Sequence, residues 1–194
     1  MRNRLVIALG LAALLSTSCV PSIQRLIEEG DAVEEPRLVG TWVDGKGGDY
    51  RRLPAGETTD ESRLVLKARE DRAYDMEVLD EDGTVDETYI VRVARFSSGT
   101  FLEMVPADKA CWDVNSDLVR YVRTSNFYRI KLEGDVLHYE FFDTDWLKKK
   151  LDSHAINLPH VVVDDNVVLT ASSKQLQRFV ERHADDPGAM RSVE

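Results

Sequence analysis

Two cysteines, four histidines and a surplus of acids are the residues of this 194-residue chain whose chemistry could carry a function. Their spacing decides how far that goes. His138, His154, His160 and His183 form neither an HxH nor an HExxH pattern, and no carboxylate or thiolate stands at ligand spacing beside His154 and His160, so no zinc site is expected. Asp80-x-Asp82-Gly83 with Asp86 is acidic enough for calcium. It lacks the 1-3-5 ligand spacing, the glycine at position 6 and the late bidentate Glu of a calcium loop. No Gly-x-Ser-x-Gly elbow occurs, and Cys111 beside Trp112 has no neighbouring base to draw off its proton. Gly45-Lys46-Gly47-Gly48-Asp49 has glycines without the spacing that cradles a phosphate. Acids are so plentiful that no pair stands out for general acid–base work. The sequence therefore assigns no catalytic residue, no metal and no cofactor.

The elements that would position these residues are mostly strands. From Leu38 onward the apolar residues recur with a period of two, as a half-buried strand requires. Leu64, Leu66 and Ala68 alternate with charged residues, as do Tyr74, Met76 and Val78. Residues 88–96 and 100–105 are rich in β-branched and aromatic side chains. Asp82-Gly83 supplies the positive φ of a tight hairpin turn, so the acidic run 80–84 reads as a turn between strands. A second hairpin joins 126–132 to 136–142 through Glu133-Gly134-Asp135, with Tyr128, Ile130, Leu132, Leu137, Tyr139 and Phe141 sharing one face. Residues 106–124 lose the alternation and read as a long loop or short helix. Asp143 can cap a helix over 144–151, with Trp146, Leu147 and Leu151 facing inward. A short hairpin, 160–163 with 167–170, precedes a capping box of Ser172 and Gln175, which opens a helix presenting Leu176, Phe179, Val180 and His183 at i, i+3, i+4 and i+7.

The N-terminus is built differently. Met1–Arg4 carries two positive charges and Leu5–Leu15 is an uncharged apolar run of eleven residues. A spanning helix needs about 20, so this run has the build of a secretory signal peptide. The run and the small residues Ser16-Thr17-Ser18 lead to Cys19, and this segment resembles the signal peptide of a bacterial lipoprotein, although the leucine of the pattern sits one position early, at Leu15. The resemblance implies that residues 1–18 are removed, that the Cys19 sulfur carries a diacylglyceryl thioether and that its amine is acylated with a palmitate-type chain. Each buried methylene contributes about 0.8 kcal/mol and stable anchoring takes two chains, so three would hold the protein at the membrane. It further implies a cell-envelope location, with Val20 rather than Asp after the cysteine directing the protein to the outer membrane of a bacterium that has one. Cys111 reads either as the partner of Cys19 in a single disulfide or as a small buried hydrophobe. With the Cys19 sulfur committed to lipid, the first of these falls away.

Gly40-Thr41-Trp42, opening the first strand, resembles the Gly-x-Trp of lipocalin-like (calycin) barrels. There the tryptophan closes one end of the barrel and the glycine lets backbone approach closely. The resemblance implies a small β-barrel and an apolar small ligand.

Net charge is −10, and residues 1–18 contribute two arginines and no acid, leaving −12 from Cys19 onward. That balance argues against a nucleic-acid partner, which needs clustered Lys and Arg, and against electrostatic docking on anionic lipid. The expectation is an α+β, mainly β fold: a curled antiparallel sheet or small lipocalin-like barrel with short helices late in the chain. Residues 1–18 are the signal peptide, 19–36 the lipidated N-terminus and tether, 37–184 a single globular domain and 185–194 a flexible tail. The function expected is a membrane-anchored, non-enzymatic binding or structural module whose partner is an envelope protein or an apolar ligand. The alternatives are a lipocalin-like carrier and, from a different class, a hydrolase or isomerase with a site no motif reveals.

Overall fold

The computed structural model describes residues 20–45, 48–107, 123–163 and 165–192. Cys19, Cys111 and most of the 106–124 segment lie outside the described residues.

Eight strands close into an antiparallel barrel: β1 (Gly40–Asp44), β2 (Tyr50–Arg52), β3 (Arg63–Ala68), β4 (Ala73–Leu79), β5 (Val85–Phe96), β6 (Gly99–Pro106), β7 (Asn126–Glu133) and β8 (Val136–Phe142). The protein is thus mainly β, a small lipocalin-like barrel with two short helices. From β3 to β8 each strand pairs with the next; short turns join β3 to β6 and β7 to β8, and β6 pairs with β7 across residues 107–125. The barrel closes less simply. β1 pairs with β3 on one side and β2 on the other, and β2 then pairs with β8. The chain around β2 is therefore no simple meander. That three-residue strand carries too little alternation to be visible in sequence.

Beyond β8 come α1 (Thr144–Asp152), β9 (His160–Val163), β10 (Asn166–Leu169), α2 (Ser173–His183) and β11 (Met190–Arg191). Both helix starts are as the sequence predicts. Asp143 accepts a hydrogen bond from the Trp146 N–H at 2.7 Å, and the Ser172–Gln175 capping box is formed.

Alternation sorts the side chains into two cores. Trp42, Leu66, Tyr74, Met76, Val91, Val93, Leu102, Met104, Tyr128, Ile130, Leu137 and Phe141 fill the barrel interior, because an eight-stranded barrel is just wide enough for its own side chains. The outward residues Ala94, Phe101, Phe127 and Phe142 form a second core with α1, α2 and the N-terminal segment.

That second core corrects two expectations. Residues 20–36 are not a free tether: Val20, Ser22, Leu26, Ile27 and Ala32 are buried against the barrel wall. The apolar pair Leu26-Ile27, too brief to form an element of its own, finds its burial on a distant surface. Residues 185–194 are likewise not a loose tail up to Ser192, since Ala189 is fully buried and β11 pairs with β8. Short polar stretches look solvated in sequence, and an adjacent sheet edge can still capture them.

Candidate functional site

The Gly-x-Trp pair sits where the barrel is sealed. Trp42 is fully buried and its Nε1–H donates to the Leu38 carbonyl at 2.9 Å, which ties the 3-10 turn Pro36–Leu38 across that end. The Arg52 guanidinium stacks over the indole, 4.4 Å from its centre, and donates to the carbonyl of Val39 at 2.6 Å and to that of Arg37. Gly40 makes this possible. Its φ is +142°, and a Cβ there would come within 2.5 Å of Arg52 Nη1. The seal is finished by Tyr74, whose hydroxyl accepts from the Glu35 N–H at 2.7 Å, while a hydrogen bond from Arg37 holds the Glu35 carboxyl below its usual range.

Inside, Tyr50 stacks on Tyr139 at 5.5 Å and Tyr128 meets Tyr139 edge-on at 6.0 Å. Burial pushes the Tyr50 phenol above its ordinary pKa. Tyr50, Leu64, Val78, Tyr89 and Tyr139 are half-buried members of this interior.

Two open grooves lie on the outer wall, and His138 borders both. Its Nδ1 lies 2.9 Å from Asp49 Oδ2 and its Nε2 3.6 Å from Glu133 Oε2. One groove adds Thr100, Arg129 and Glu140; the other adds Asp44, Asp60, Glu61 and Glu81. The remaining histidines stand apart. His160 Nδ1 meets the Leu158 carbonyl at 2.8 Å, and His183 Nδ1 meets Asp186 at 2.8 Å. Asp49 and Glu133 meet opposite nitrogens of the His138 ring, and among the described residues no group of three His, Cys, Asp or Glu is placed to hold a metal ion. The Asp80–Thr84 run is a turn: the Thr84 N–H donates to both Asp80 and Asp82, and Gly83 takes φ +85°.

Sequence reasoning missed the most buried acid among the described residues. Glu103 faces outward from β6, yet the N-terminal segment covers it. It accepts hydrogen bonds from the backbone N–H of Leu26 at 2.6 Å and of Ile27 at 3.4 Å. Burial pushes its carboxyl above the ordinary carboxylate value, against the pull of those N–H groups and of the Ser125 hydroxyl. An acid on the outer face of a strand is normal, so nothing in the sequence marks it. From α2, Gln177 donates to the Leu26 carbonyl at 3.0 Å and to Asp31 at 2.7 Å, holding the same segment from its other side.

Cys19, the residue expected to carry lipid, precedes the described residues. Its neighbour Val20 is buried, and Pro21–Ile23 runs beside β10: Leu169 N–H donates to the Pro21 carbonyl and Ile23 N–H to the Leu169 carbonyl, each at 2.9 Å. No family model, curated protein or solved structure matches this chain.

Proposed function

We propose that this chain is a bacterial lipoprotein, anchored through lipid on Cys19, and that its barrel serves as a non-enzymatic binding or structural module of the cell envelope, in the outer membrane where the bacterium has one. The observation that carries the reading is the eleven-residue apolar run that ends, through Ser16-Thr17-Ser18, at one of only two cysteines in the chain. A filled barrel leaves contact with a partner to the outer wall and its grooves. Replacing Cys19 with Ala tests the anchor. The variant is expected in the soluble fraction, and the parent's N-terminal peptide is expected to carry acyl mass. A Cys19→Ala chain that still sediments with membranes overturns the reading.

A carrier of a small apolar ligand is the second reading: the closed lipocalin-like barrel is compatible with it, and the side chains that fill the interior weigh against it. It predicts that solvent extraction of the protein purified from its own membrane releases a stoichiometric apolar compound. An empty extract removes it.

A further inference from the structure

Six large apolar side chains stand exposed among the described residues, and four of them, Ile23, Val161, Val162 and Val163, belong to one corner. That corner is a small sheet of three strands: β9, β10 and the Pro21–Ile23 segment. Register assigns the side chains to faces. Leu169 and Ser22 are bridge partners and both are buried, so they look inward. Val161 pairs with Val168 and Val163 with Asn166, one step out of phase with Leu169, so they look outward, and Ile23 follows Ser22 onto the same side. The outer face therefore presents Ile23, Val161, Val163 and the half-buried Val168. On this face Val161 and Val163 are 45% and 53% exposed; Val162, paired with the buried Val167, points to the other face. Patches of this kind mark contact with a partner or a membrane.

The chain's own course says which. Pro21–Ile23 is parallel to β10, so followed backwards it runs toward the β9–β10 turn. It lies about 10 Å from β9, two strand spacings away. Val20 is buried at this corner, and Cys19 is the next residue, one Cα step of about 3.8 Å further. Any lipid on Cys19 thus leaves the protein beside the exposed valines, with no linker between. We propose that the face of Ile23, Val161, Val163 and Val168 rests in the membrane interface, so that the domain sits flush on the bilayer in one orientation. This rests on the lipoprotein reading. Acyl chains and an apolar face then act as two signals on one surface, an arrangement that stable anchoring favours. The net negative charge makes the contact apolar rather than electrostatic.

The test uses the full chain purified from its membrane, carrying Cys111→Ser, with a nitroxide placed through Val161→Cys or, as control, through the equally exposed Val85→Cys on β5. Each protein is reconstituted into phosphatidylcholine vesicles, and the N-terminal peptide is weighed to establish acylation. Accessibility to oxygen relative to a water-soluble nickel chelate is expected to be several-fold higher at 161 than at 85. Equal accessibility at both sites in acylated protein overturns the proposal and leaves the lipid anchor standing. An unmodified N-terminal peptide overturns both. Concentration-dependent spin–spin broadening at 161 in vesicle-free Cys19→Ala protein assigns the face to a second copy of the chain and also overturns the proposal.

Discussion

The barrel interior and the core on its outer wall draw on the same strands and are assembled on different terms. The interior is made by neighbours: β3 to β8 follow one another, and each contributes alternate residues to a space closed on every side. The outer core is made by distant segments. Leu26 and Ile27 from the start of the chain meet Phe101 and Phe127 from the middle and Leu176, Phe179 and Val180 from near its end. Its polar content differs too. It encloses Glu103 behind the N-terminal segment and leaves the Arg92 Nε buried without a hydrogen-bond partner, though Arg92 Nη2 reaches Asp71 at 3.2 Å. A closed alternating core yields a stable wall. Response to conditions belongs to the layer laid over it, where a carboxylate and a buried apolar segment share one joint.

The most direct way to break the comparison is Trp42→Ala. It removes the largest fully buried interior side chain, the hydrogen bond to Leu38 and the platform for Arg52, and a buried Trp→Ala truncation costs about 3–5 kcal/mol. Both cores should unfold together, because the outer one has no wall without the barrel. Denaturant unfolding followed by tyrosine and backbone signals checks this, and separate transitions would show the cores to be independent.

Leu26→Ala strikes the outer core alone, at a cost of about 3 kcal/mol for a fully buried leucine. Hydrogen exchange is expected to quicken over residues 20–32 while β4–β6 amides hold their protection, since local opening can cost less than global unfolding. Uniform loss of protection would merge the two cores into one cooperative unit.

Glu103 sharpens the contrast through pH. Its folded pKa is raised by burial above the ordinary 4.5 of a glutamate, so its contribution to stability is fully present below about pH 4.5 and is lost as pH rises through the raised folded value. Glu35 has the opposite sign: its folded pKa is lowered by Arg37, so its contribution is present above 4.5 and is lost as pH falls through the folded value. Glu103→Gln cannot titrate. The stability of the parent relative to this variant is expected to fall as pH rises above about 4.5, measured by denaturant titration at each pH. Glu103→Ala should cost about 2 kcal/mol by stranding the Leu26 and Ile27 N–H groups. A flat difference across the pH range would mean that water reaches the carboxyl.

The sequence made these two regions unequally legible. Strands β3 to β8 could be read because alternation and the Asp82-Gly83 and Gly134 turns are local signals, and the faces assigned to Tyr74, Met76, Ile130 and Phe141 are those the barrel buries. Gly40 and Trp42 pointed to a sealed barrel end, and the structure adds Arg52 as the group that needs the glycine. The docking of Val20–Ala32 and of Ala189 could not be read, because a few apolar residues in a polar stretch acquire a partner only after the barrel exists. Glu103 was hidden for the same reason. The proposed lipid site inverts the pattern: Cys19 is singled out only by the sequence, and the structure contributes the position of its neighbour Val20.

The smallest expected effect is that of Ser172→Ala. Ser172 donates its N–H to Gln175 Oε1 at 3.0 Å and its hydroxyl to the same oxygen at 2.9 Å, closing the first turn of α2. Losing such a cap costs about 1 kcal/mol. The helix carries Leu176, Phe179 and Val180 into the outer core and Gln177 to the N-terminal segment, so fraying should reach residues 26–31 and spare the interior. Ser172→Asp keeps a side-chain acceptor at the helix start and should restore most of the loss. If instead Ser172→Ala lowers protection in β4 and β5 as much as in α2, the wall and its covering layer share stability more closely than their separate construction implies.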